Sequence, residues 1–286
     1  MDSKDWNILV TLYEEKNITR AAERLYISQP AITYRLQQIE EEFNVKLVHR
    51  NKKGITFTSE GEYLVEHSKK MLKELRYTKD RILNISQDVS GTLRIGVSSN
   101  FAQYKLPKIL KKFLDRYPNV QFSVKTGYSS EISKLLYEDE VQVGIIRGEH
   151  NWYEKKHLIF QEKYCVISKD EIHIDNLPHL PRINYKTDPL LKQTIENWWY
   201  YKFNTPPWIV MEVDKIEACR EMAKHGLGYA IIPEICLTPD QNLKAINLTD
   251  ENGEPLLRNT WLCYREFSLE FSVVEKFVQF VRNILS

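Results

Sequence analysis

The stretch ISQPAITYRLQQIE, residues 27–40, constrains the fold of this chain more than any other segment. Its apolar residues Ile32, Leu36 and Ile39 recur at helical spacing and predict one buried stripe. Ser28 is suited to cap this helix, and Pro30 fits its first turn, where the missing N–H breaks no intrahelical bond. The other face is polar and carries, mostly toward its N-terminal end, Gln29, Thr33, Tyr34 and Gln37, with Arg35 and Gln38 on the flanks. Such a face either is solvated or contacts another molecule.

The segment before this helix predicts two further helices. Apolar residues from Trp6 to Tyr13 have helical spacing, and a second helix is expected from a cap at Thr19 to Leu25. The short link at residues 26–28 then gives a helix-turn-helix unit, whose last helix enters the DNA major groove with its N-terminal residues at base edges. Glutamine there is suited to pair with adenine. The alternative is an ordinary three-helix bundle with a solvated face.

A basic hairpin is predicted directly after that helix. Residues 45–50 and 55–58 are expected to form two short strands around a turn at 51–54. Arg50, Lys52 and Lys53 would contact phosphates, which adds affinity without sequence information. A charged hairpin tip is usually just solvated, but its position here favours DNA. The net charge of +1 gives no indication of a nucleic-acid partner.

The run from Asn17 to Leu64, NITRAAERLYISQPAITYRLQQIEEEFNVKLVHRNKKGITFTSEGEYL, resembles the winged helix-turn-helix signature of the LysR-type transcriptional regulators. The resemblance implies that Arg50 holds the DNA backbone beside the wing and that four residues lie in the groove: Gln29, Pro30, Thr33 and Tyr34. The family often has serine and then arginine or glutamine where this chain has Thr33, Tyr34 and Arg35. The complete set of predicted DNA contacts is Thr19, Arg20, Ser28, Gln29, Pro30, Thr33, Tyr34, Arg35, Gln37, Arg50, Lys52 and Lys53.

A long helix is predicted over residues 59–88, begun by a capping box of Ser59 and Glu62. Its apolar seam has coiled-coil spacing and comprises Leu64, Met71, Leu75, Thr78, Ile82 and Ile85. The seam packs either on the chain's own body or on a second subunit. The resemblance to the family's linker helix favours a dimer, with contacts from Leu64, Met71, Leu75 and Ile82. A hinge is expected at residues 88–91.

From residue 91 onward, seven apolar runs rich in β-branched residues alternate with helical stretches such as 106–117. This pattern predicts an α/β architecture with largely parallel strands. Parts of it resemble the family's effector-binding half, which has the fold of periplasmic binding proteins with two subdomains around a cleft. The expected domains are a winged helix-turn-helix at 1–58, a linker helix at 59–88 and an effector-binding domain at 89–286. Within the last, subdomain I covers roughly 91–163 plus 263–286 and subdomain II roughly 164–262.

Polar residues follow the ends of three predicted strands. Ligands of such sheets bind beyond the carboxyl ends of strands, and hydroxyls with backbone N–H groups there suit an anion. Arg147 would supply the positive charge for a carboxylate. The predicted effector contacts are Ser98, Ser99, Asn100, Tyr128, Ser129 and Arg147. The alternatives are that the first three only cap a helix and that Arg147 forms a surface salt bridge.

Other classes of protein find little support in the sequence. No apolar run reaches the ~18 residues of a membrane span, and no secretory signal is visible, so a cytoplasmic protein is expected. The alternative hypothesis is an enzyme, but the chain lacks the G-x-S-x-G, Walker, G-x-G-x-x-G and H-E-x-x-H motifs. The cysteines are widely spaced and are expected to be buried thiols, with a redox pair as the alternative: Cys165, Cys219, Cys236 and Cys263.

The predicted function is that of a sequence-specific DNA-binding regulator modulated by a small, anionic metabolite, with no cofactor and no metal. Its expected partners are a double-stranded DNA operator, the effector, and further copies of the chain in a homodimer or a dimer-of-dimers tetramer. RNA polymerase joins them if the protein activates transcription. A third alternative is an architectural DNA protein without an effector, but DNA binding alone does not require so large an α/β half.

Overall fold

The computed structural model describes residues 1–51, 54–83, 89–237 and 243–285. Lys52 and Lys53, as well as Ile85 and Asp88 of the predicted seam and hinge, lie outside this range. The chain divides into two compact units, Met1–Ile85 and Ser86–Ser286, which we describe separately. Across the described ranges, no helix is both long enough and apolar enough to span a bilayer.

The first unit starts with three helices, α1 (Ser3–Glu15), α2 (Ile18–Leu25) and α3 (Gln29–Phe43). Ser28 caps α3 by accepting a hydrogen bond from the Ala31 N–H at 3.3 Å, and Pro30 lies in the first turn, as predicted. The prediction of a cap at Thr19 is wrong. Helix α2 begins two residues earlier, at Ile18, so it is Asn17 whose side chain accepts from the Arg20 N–H at 3.1 Å.

The predicted stripe of α3 is confirmed as part of the core of this unit. Ile32, Leu36 and Ile39 are each at most 2% exposed. They pack with apolar side chains of α1, α2 and the following hairpin, so the polar face of α3 is turned away from the core.

The predicted wing is an antiparallel hairpin of β1 (Val48–Asn51) and β2 (Gly54–Phe57), shifted by a few residues from the predicted strands. The N–H of Ile55 donates to the carbonyl of Lys16 at 3.0 Å, which fastens the wing to the end of α1. Gly54 has a φ of +133°, and a Cβ there would lie 2.3 Å from the Lys16 carbonyl oxygen. Only glycine therefore fits this close approach of two backbones.

The long helix α4 runs from Ser59 to Leu83. The predicted capping box is wrong, because Thr58 precedes the helix and its hydroxyl accepts from the Gly61 N–H at 3.0 Å. The assignment of Leu64 to the dimer seam is also corrected: its side chain is 8% exposed and belongs to the core of its own unit. Beyond Ser68, by contrast, no side chain of the described part of α4 is buried.

The second unit contains β3 (Gly91–Ser98), α5 (Ser99–Tyr104), α6 (Leu106–Arg116), β4 (Val120–Gly127), α7 (Ser129–Tyr137), β5 (Val143–Arg147), β6 (Lys155–Ser168), β7 (Arg182–Tyr185), α8 (Pro189–Lys202), β8 (Ile209–Val213), α9 (Ile216–Lys224), β9 (Ala230–Pro233), β10 (Lys244–Asn247), β11 (Leu257–Tyr264) and α10 (Ser272–Leu285). Short 3₁₀ helices lie at Ile174–His179, Glu234–Cys236 and Glu266–Glu270.

The main sheet has the strand order β10-β6-β11-β5-β3-β4, with β9 also paired to β6. Strand β3 runs parallel to β4 and β5, as predicted, but β11 is antiparallel to β5 and β6, and β6 is antiparallel to β9 and β10. The expectation of largely parallel strands is therefore wrong for this half of the sheet. The reason is that β6 and β11 are long strands that lie side by side and carry the chain in opposite directions.

A separate parallel pair, β7 and β8, packs with α8 and α9. The aromatic run at residues 198–201 lies on α8. Trp198 and Trp199 are buried in a core with Tyr164 and Leu177, while Tyr200 and Tyr201 are exposed.

Candidate nucleic-acid interface and ligand cleft

The polar face of α3 is open at its N-terminal end. Gln29 and Tyr34 are exposed, and the Tyr34 hydroxyl accepts a hydrogen bond from the Gln38 side chain at 2.9 Å, which orients its ring. The Thr19 hydroxyl lies 3.5 Å from the amide oxygen of Gln29, so the starts of α2 and α3 meet on this surface. Among the predicted DNA contacts that the structure describes, Thr33 and Arg35 are half-buried. The others are exposed: Thr19, Arg20, Ser28, Gln29, Pro30, Tyr34, Gln37 and Arg50.

Arg35 is held by its own unit. Its guanidinium lies 3.7 Å from the carboxylate of Asp5, which is buried in the first turn of α1. A phosphate or a base would therefore have to compete with Asp5 for the guanidinium of Arg35. No local sequence pattern indicates this contact, since Asp5 is distant from Arg35 in the chain.

The acidic cluster at the C-terminal end of α3 is satisfied within the unit. Lys46 binds Glu40 at 2.8 Å, and the Leu47 N–H donates to the same carboxylate at 2.9 Å. Burial opposes ionisation, but these hydrogen bonds still hold the pKa of Glu40 below its usual value. The Met1 ammonium group binds Glu42 at 3.1 Å. The carboxylates thus lie at the far end of α3 from the exposed polar face.

Tyr26 is a surface residue that the sequence reasoning did not select. It stands in the turn between α2 and α3 with a φ of 55°, and its side chain is 95% exposed. A left-handed conformation at a bulky residue is uncommon, and here it ends α2 and directs an aromatic ring outward beside α3.

In the second unit, a cavity of about 580 Å³ opens where β3, β4 and β5 end. All six predicted effector contacts line it: Ser98, Ser99, Asn100, Tyr128, Ser129 and Arg147. The opposite wall is formed by residues 185–188 and 214–217, and β11 contributes Arg258. The strand ends were predictable because parallel strands finish at one edge of a sheet, but the opposite wall was not.

The serines at these strand ends are not simple helix caps. Ser98 makes no capping hydrogen bond to α5, and its buried hydroxyl has no partner among the described residues. The Ser99 hydroxyl donates to the Gly127 carbonyl at 3.2 Å, and the Ser129 hydroxyl accepts from the Arg147 N–H at 3.0 Å. These two bonds tie the end of β4 to the ends of β3 and β5 and leave Ser98 available.

Arg147 is a buried residue, not a surface one. It is 2% exposed and its guanidinium forms an ion pair with Glu162 of β6, a carboxylate that is 1% exposed. The second oxygen of Glu162 accepts from the Ile235 N–H at 2.7 Å. A single carboxylate with both oxygens engaged therefore faces this arginine.

Arg258 is the main cleft residue that the sequence reasoning missed. It is 5% exposed and lines the cavity, and burial together with the nearby Arg147 charge lowers its pKa. The Nε atoms of both arginines lack a hydrogen-bond partner in the described structure. Two buried guanidinium groups thus lie close to the carboxylate of Glu162, which is ion-paired with Arg147, and Asp188 adds a second buried carboxylate to the cleft.

Tyr185 adds a neutral donor to the same cavity. Its hydroxyl is buried without a described partner, and burial raises its pKa, so it stays protonated at neutral pH. The carboxylate of Asp188, also in the lining, is already satisfied by the N–H groups of Ser130 and Leu190, at 3.1 Å each, and by the Ser130 hydroxyl. The unsatisfied groups of the cleft are therefore mostly donors, which suits an anion.

The cysteines are buried free thiols, as predicted. Burial raises the pKa of each to about 12, so none is a thiolate at neutral pH. Cys165 and Cys219 donate to the carbonyl groups of Ile232 and Ile183. In the same described ranges, no group of three His, Cys, Asp or Glu side chains is arranged to hold a metal ion.

Comparison with known families matches both units of the chain. Residues 3–62 match the model of the bacterial regulatory helix-turn-helix proteins of the lysR family, and residues 86–286 match the LysR substrate binding domain. The HTH-type transcriptional regulator YraN of Bacillus subtilis (strain 168) is 52% identical over 99% of this chain and 98% of its own. YkuM of the same organism is 38% identical over 100% and 98%.

Solved structures share the fold. CbnR, a LysR family transcriptional regulator, superposes with a TM-score of 0.71 at 18% identity, with both chains covered completely. Full-length CbnR in complex with target DNA gives a TM-score of 0.69 at 19% identity, with 99% of each chain covered.

Proposed function

This chain belongs to the LysR family of DNA-binding transcriptional regulators, and from that premise we propose that α3 binds a specific operator while a small anionic metabolite in the cleft modulates that binding. The winged helix-turn-helix would occupy residues 1–58, the linker helix 59–88 and the effector-binding domain 89–286, with subdomains meeting along β6 and β11. The observation that carries the proposal is the exposed polar end of α3, in a chain whose other unit holds a cleft lined by two buried arginines.

The DNA-binding part of the proposal rests on the geometry of α3. Gln29 lies in the first turn of the helix, where base edges are met, and its amide is suited to adenine. Arg20 on α2 and Arg50 on β1 are exposed cations that are available for phosphates. CbnR, whose fold this chain shares, has been solved with its target DNA.

Gln29→Ala tests base reading. We expect it to weaken binding to the selected operator by about 1–3 kcal/mol and to leave binding to random DNA nearly unchanged, because a base contact carries sequence information and a phosphate contact does not. Fluorescence anisotropy with both DNAs at one salt concentration measures the two losses. Gln279→Ala, the same change on an exposed face of α10, is the control. Equal losses on both DNAs would remove Gln29 from the base-contacting set.

The effector part of the proposal rests on the cleft. Arg147 and Arg258 present buried guanidinium groups, of which Arg147 is ion-paired with Glu162, and Ser98 and Tyr185 add hydroxyls without a described partner. A carboxylate ligand would satisfy these donors, and a ligand that binds one arrangement of the subdomains better than another shifts the protein toward it.

Arg258→Met tests the anion site. We expect succinate to raise the melting temperature of the wild-type protein, its diamide to have no such effect, and the variant to bind succinate at least ~10-fold more weakly, since charge-assisted hydrogen bonds are lost. Lys244→Met, on exposed β10, should retain the wild-type response. A variant that responds to succinate with the wild-type midpoint would contradict the assignment of Arg258 to the site.

Oligomerisation is proposed to use the apolar face of α4 beyond Ser68, through Met71, Leu75 and Ile82, in a dimer or a dimer of dimers. RNA polymerase is a further partner if the protein activates transcription. Because the operator is chromosomal, we place this activity in the cytoplasm.

A further inference from the structure

A second cavity lies in the half of the second unit that is built around β7, β8 and α8. This groove measures about 520 Å³ and runs between α8 and the β7–β8 pair. Its floor carries Arg182, and its walls are mainly apolar, formed by Ile195, Trp199, Pro206, Pro207 and Ile209. The groove adjoins the cleft, because Tyr128 and residues 185–187 line both, but Arg182 and Trp199 line only the groove.

Arg182 is a buried cation without a counter-ion. The side chain is 8% exposed, and its Nε has no hydrogen-bond partner in the described part of the chain. No acidic residue within those ranges forms an ion pair with it; the guanidinium instead lies 5.5 Å over the ring of Trp199. Burial lowers the pKa of Arg182, as expected for a charge that has lost its water without gaining a carboxylate. Such a group is costly unless something pairs with it.

The surroundings of Arg182 add one more unsatisfied group. The hydroxyl of Tyr229, which interacts electrostatically with Arg182, is also buried without a described partner. The stacking on Trp199 fixes the plane of the guanidinium, and a planar fork is suited to bind the two oxygens of a carboxylate.

The rim of the groove limits the charge of a ligand. Glu196 and Glu212 line it and are exposed, and Lys192 lies 3.8 Å from Glu196, so its charge is partly compensated. A dianion such as phosphate would be repelled by these carboxylates, whereas a single carboxylate is needed to neutralise Arg182. The apolar walls then favour a ligand with a hydrophobic body.

We propose that this groove is a second ligand site, which binds a monocarboxylate with an apolar or aromatic body. The carboxylate pairs with Arg182, and the body lies against Trp199, Pro206 and Pro207. The site differs from the cleft, where Arg147 and Arg258 provide the cations.

The test uses phenylacetate and its neutral analogue phenylacetamide, with binding followed by isothermal titration calorimetry on the full-length protein. Arg258→Met serves as the background, because it weakens any competing site in the cleft. In that background we expect saturable binding of phenylacetate, at least ~10-fold weaker binding of phenylacetamide, and no competition by inorganic phosphate. Adding Arg182→Met should weaken phenylacetate binding at least ~10-fold, while Lys244→Met, at an exposed position of β10 outside both cavities, should change it little.

Stability distinguishes a ligand site from a structural cation. Without ligand, Arg182→Met should melt at or above the temperature of the parent protein, because it removes a buried charge that has no counter-ion. If Arg182→Met does not fold, Arg182→Lys replaces it. This variant should bind phenylacetate more weakly than the parent protein, because an ammonium group lacks the two parallel N–H donors of the guanidinium. Equal binding of phenylacetate and phenylacetamide, competition by phosphate, or binding that survives both Arg182 variants would overturn the proposal. None of these measurements contains DNA, so failure of the operator proposal would leave them unaffected.

Discussion

Glu162→Gln is expected to lower the free energy of unfolding of the second unit by about 3–5 kcal/mol, because it leaves the buried Arg147 without its carboxylate. The expected loss is large because the buried Arg258 lies close to Arg147, so that removing the Glu162 charge leaves two like charges repelling each other in a buried site. Glutamine keeps the size of the side chain and an acceptor for the Ile235 N–H, so the change is mainly one of charge. Denaturant unfolding of the full chain measures the shift in the transition of this unit.

The matched control is Glu138→Gln, an exposed glutamate whose lysine partner lies 3.8 Å away, and it should change stability by no more than about 0.5 kcal/mol. Added acetate should recover more stability in Glu162→Gln than in the wild-type protein, because a small carboxylate can enter the cleft and replace the lost charge. If Glu162→Gln is as stable as the wild-type protein, the buried Arg147 does not depend on Glu162 for its counter-charge. If acetate has no effect specific to Glu162→Gln, a carboxylate does not bind to the arginines of the cleft.

Leu75→Glu is expected to convert the oligomer into monomers that bind the operator poorly. Helix α4 continues past its own core after Ser68, and the apolar side chains of Met71, Leu75 and Ile82 are left half-buried or exposed in a single chain, Ile82 to 61%. A glutamate at the centre of a helix–helix contact would have to lose its water without a partner. Two half-sites also require two linked recognition helices. Analytical ultracentrifugation measures the assembly state, and anisotropy measures operator affinity.

Lys70→Glu introduces the same residue at an exposed position of the same helix and should leave the assembly intact. A Leu75→Glu protein with the sedimentation coefficient of the wild type would show that the seam of α4 faces elsewhere.

Local signals in the sequence were sufficient for the parts of the fold that local contacts determine. Ser28, Pro30 and the stripe from Ile32 to Ile39 correctly predicted α3, because a cap and a 3.6-residue period act within a few turns. The N-cap of α2 is Asn17, whereas the sequence predicted Thr19, two residues later. Both side chains can cap a helix, so the residue type alone does not show where the helix begins.

Features that depend on distant contacts were not predictable. The period of α4 correctly indicated an apolar face, but it could not show that Leu64 packs on the chain's own core while Ile82 does not. Strand runs likewise do not report their partners, so the antiparallel pairing of β6 with β11 was missed.

In the cleft, too, some residues were predictable from local sequence and others depend on distant contacts. Serines after β3 and β4 could be placed in advance because the ends of parallel strands converge at one edge. Arg258 could not, because a lone arginine in a strand has no local signature; only the fold brings it beside Arg147 and Glu162. The same holds for Arg182, whose lack of a counter-ion is visible only in the structure.

The central claim is that this protein recognises a DNA sequence. The direct measurement is selection of genomic fragments by the purified full-length protein, followed by affinity determination on the most enriched fragment and on random DNA of equal length. We predict that a few fragments sharing one two-fold-related motif are enriched, and that the protein binds the best of them at least about a thousandfold more tightly than random DNA at physiological salt. Enrichment that follows fragment length alone, with equal affinity for both DNAs, would contradict the account.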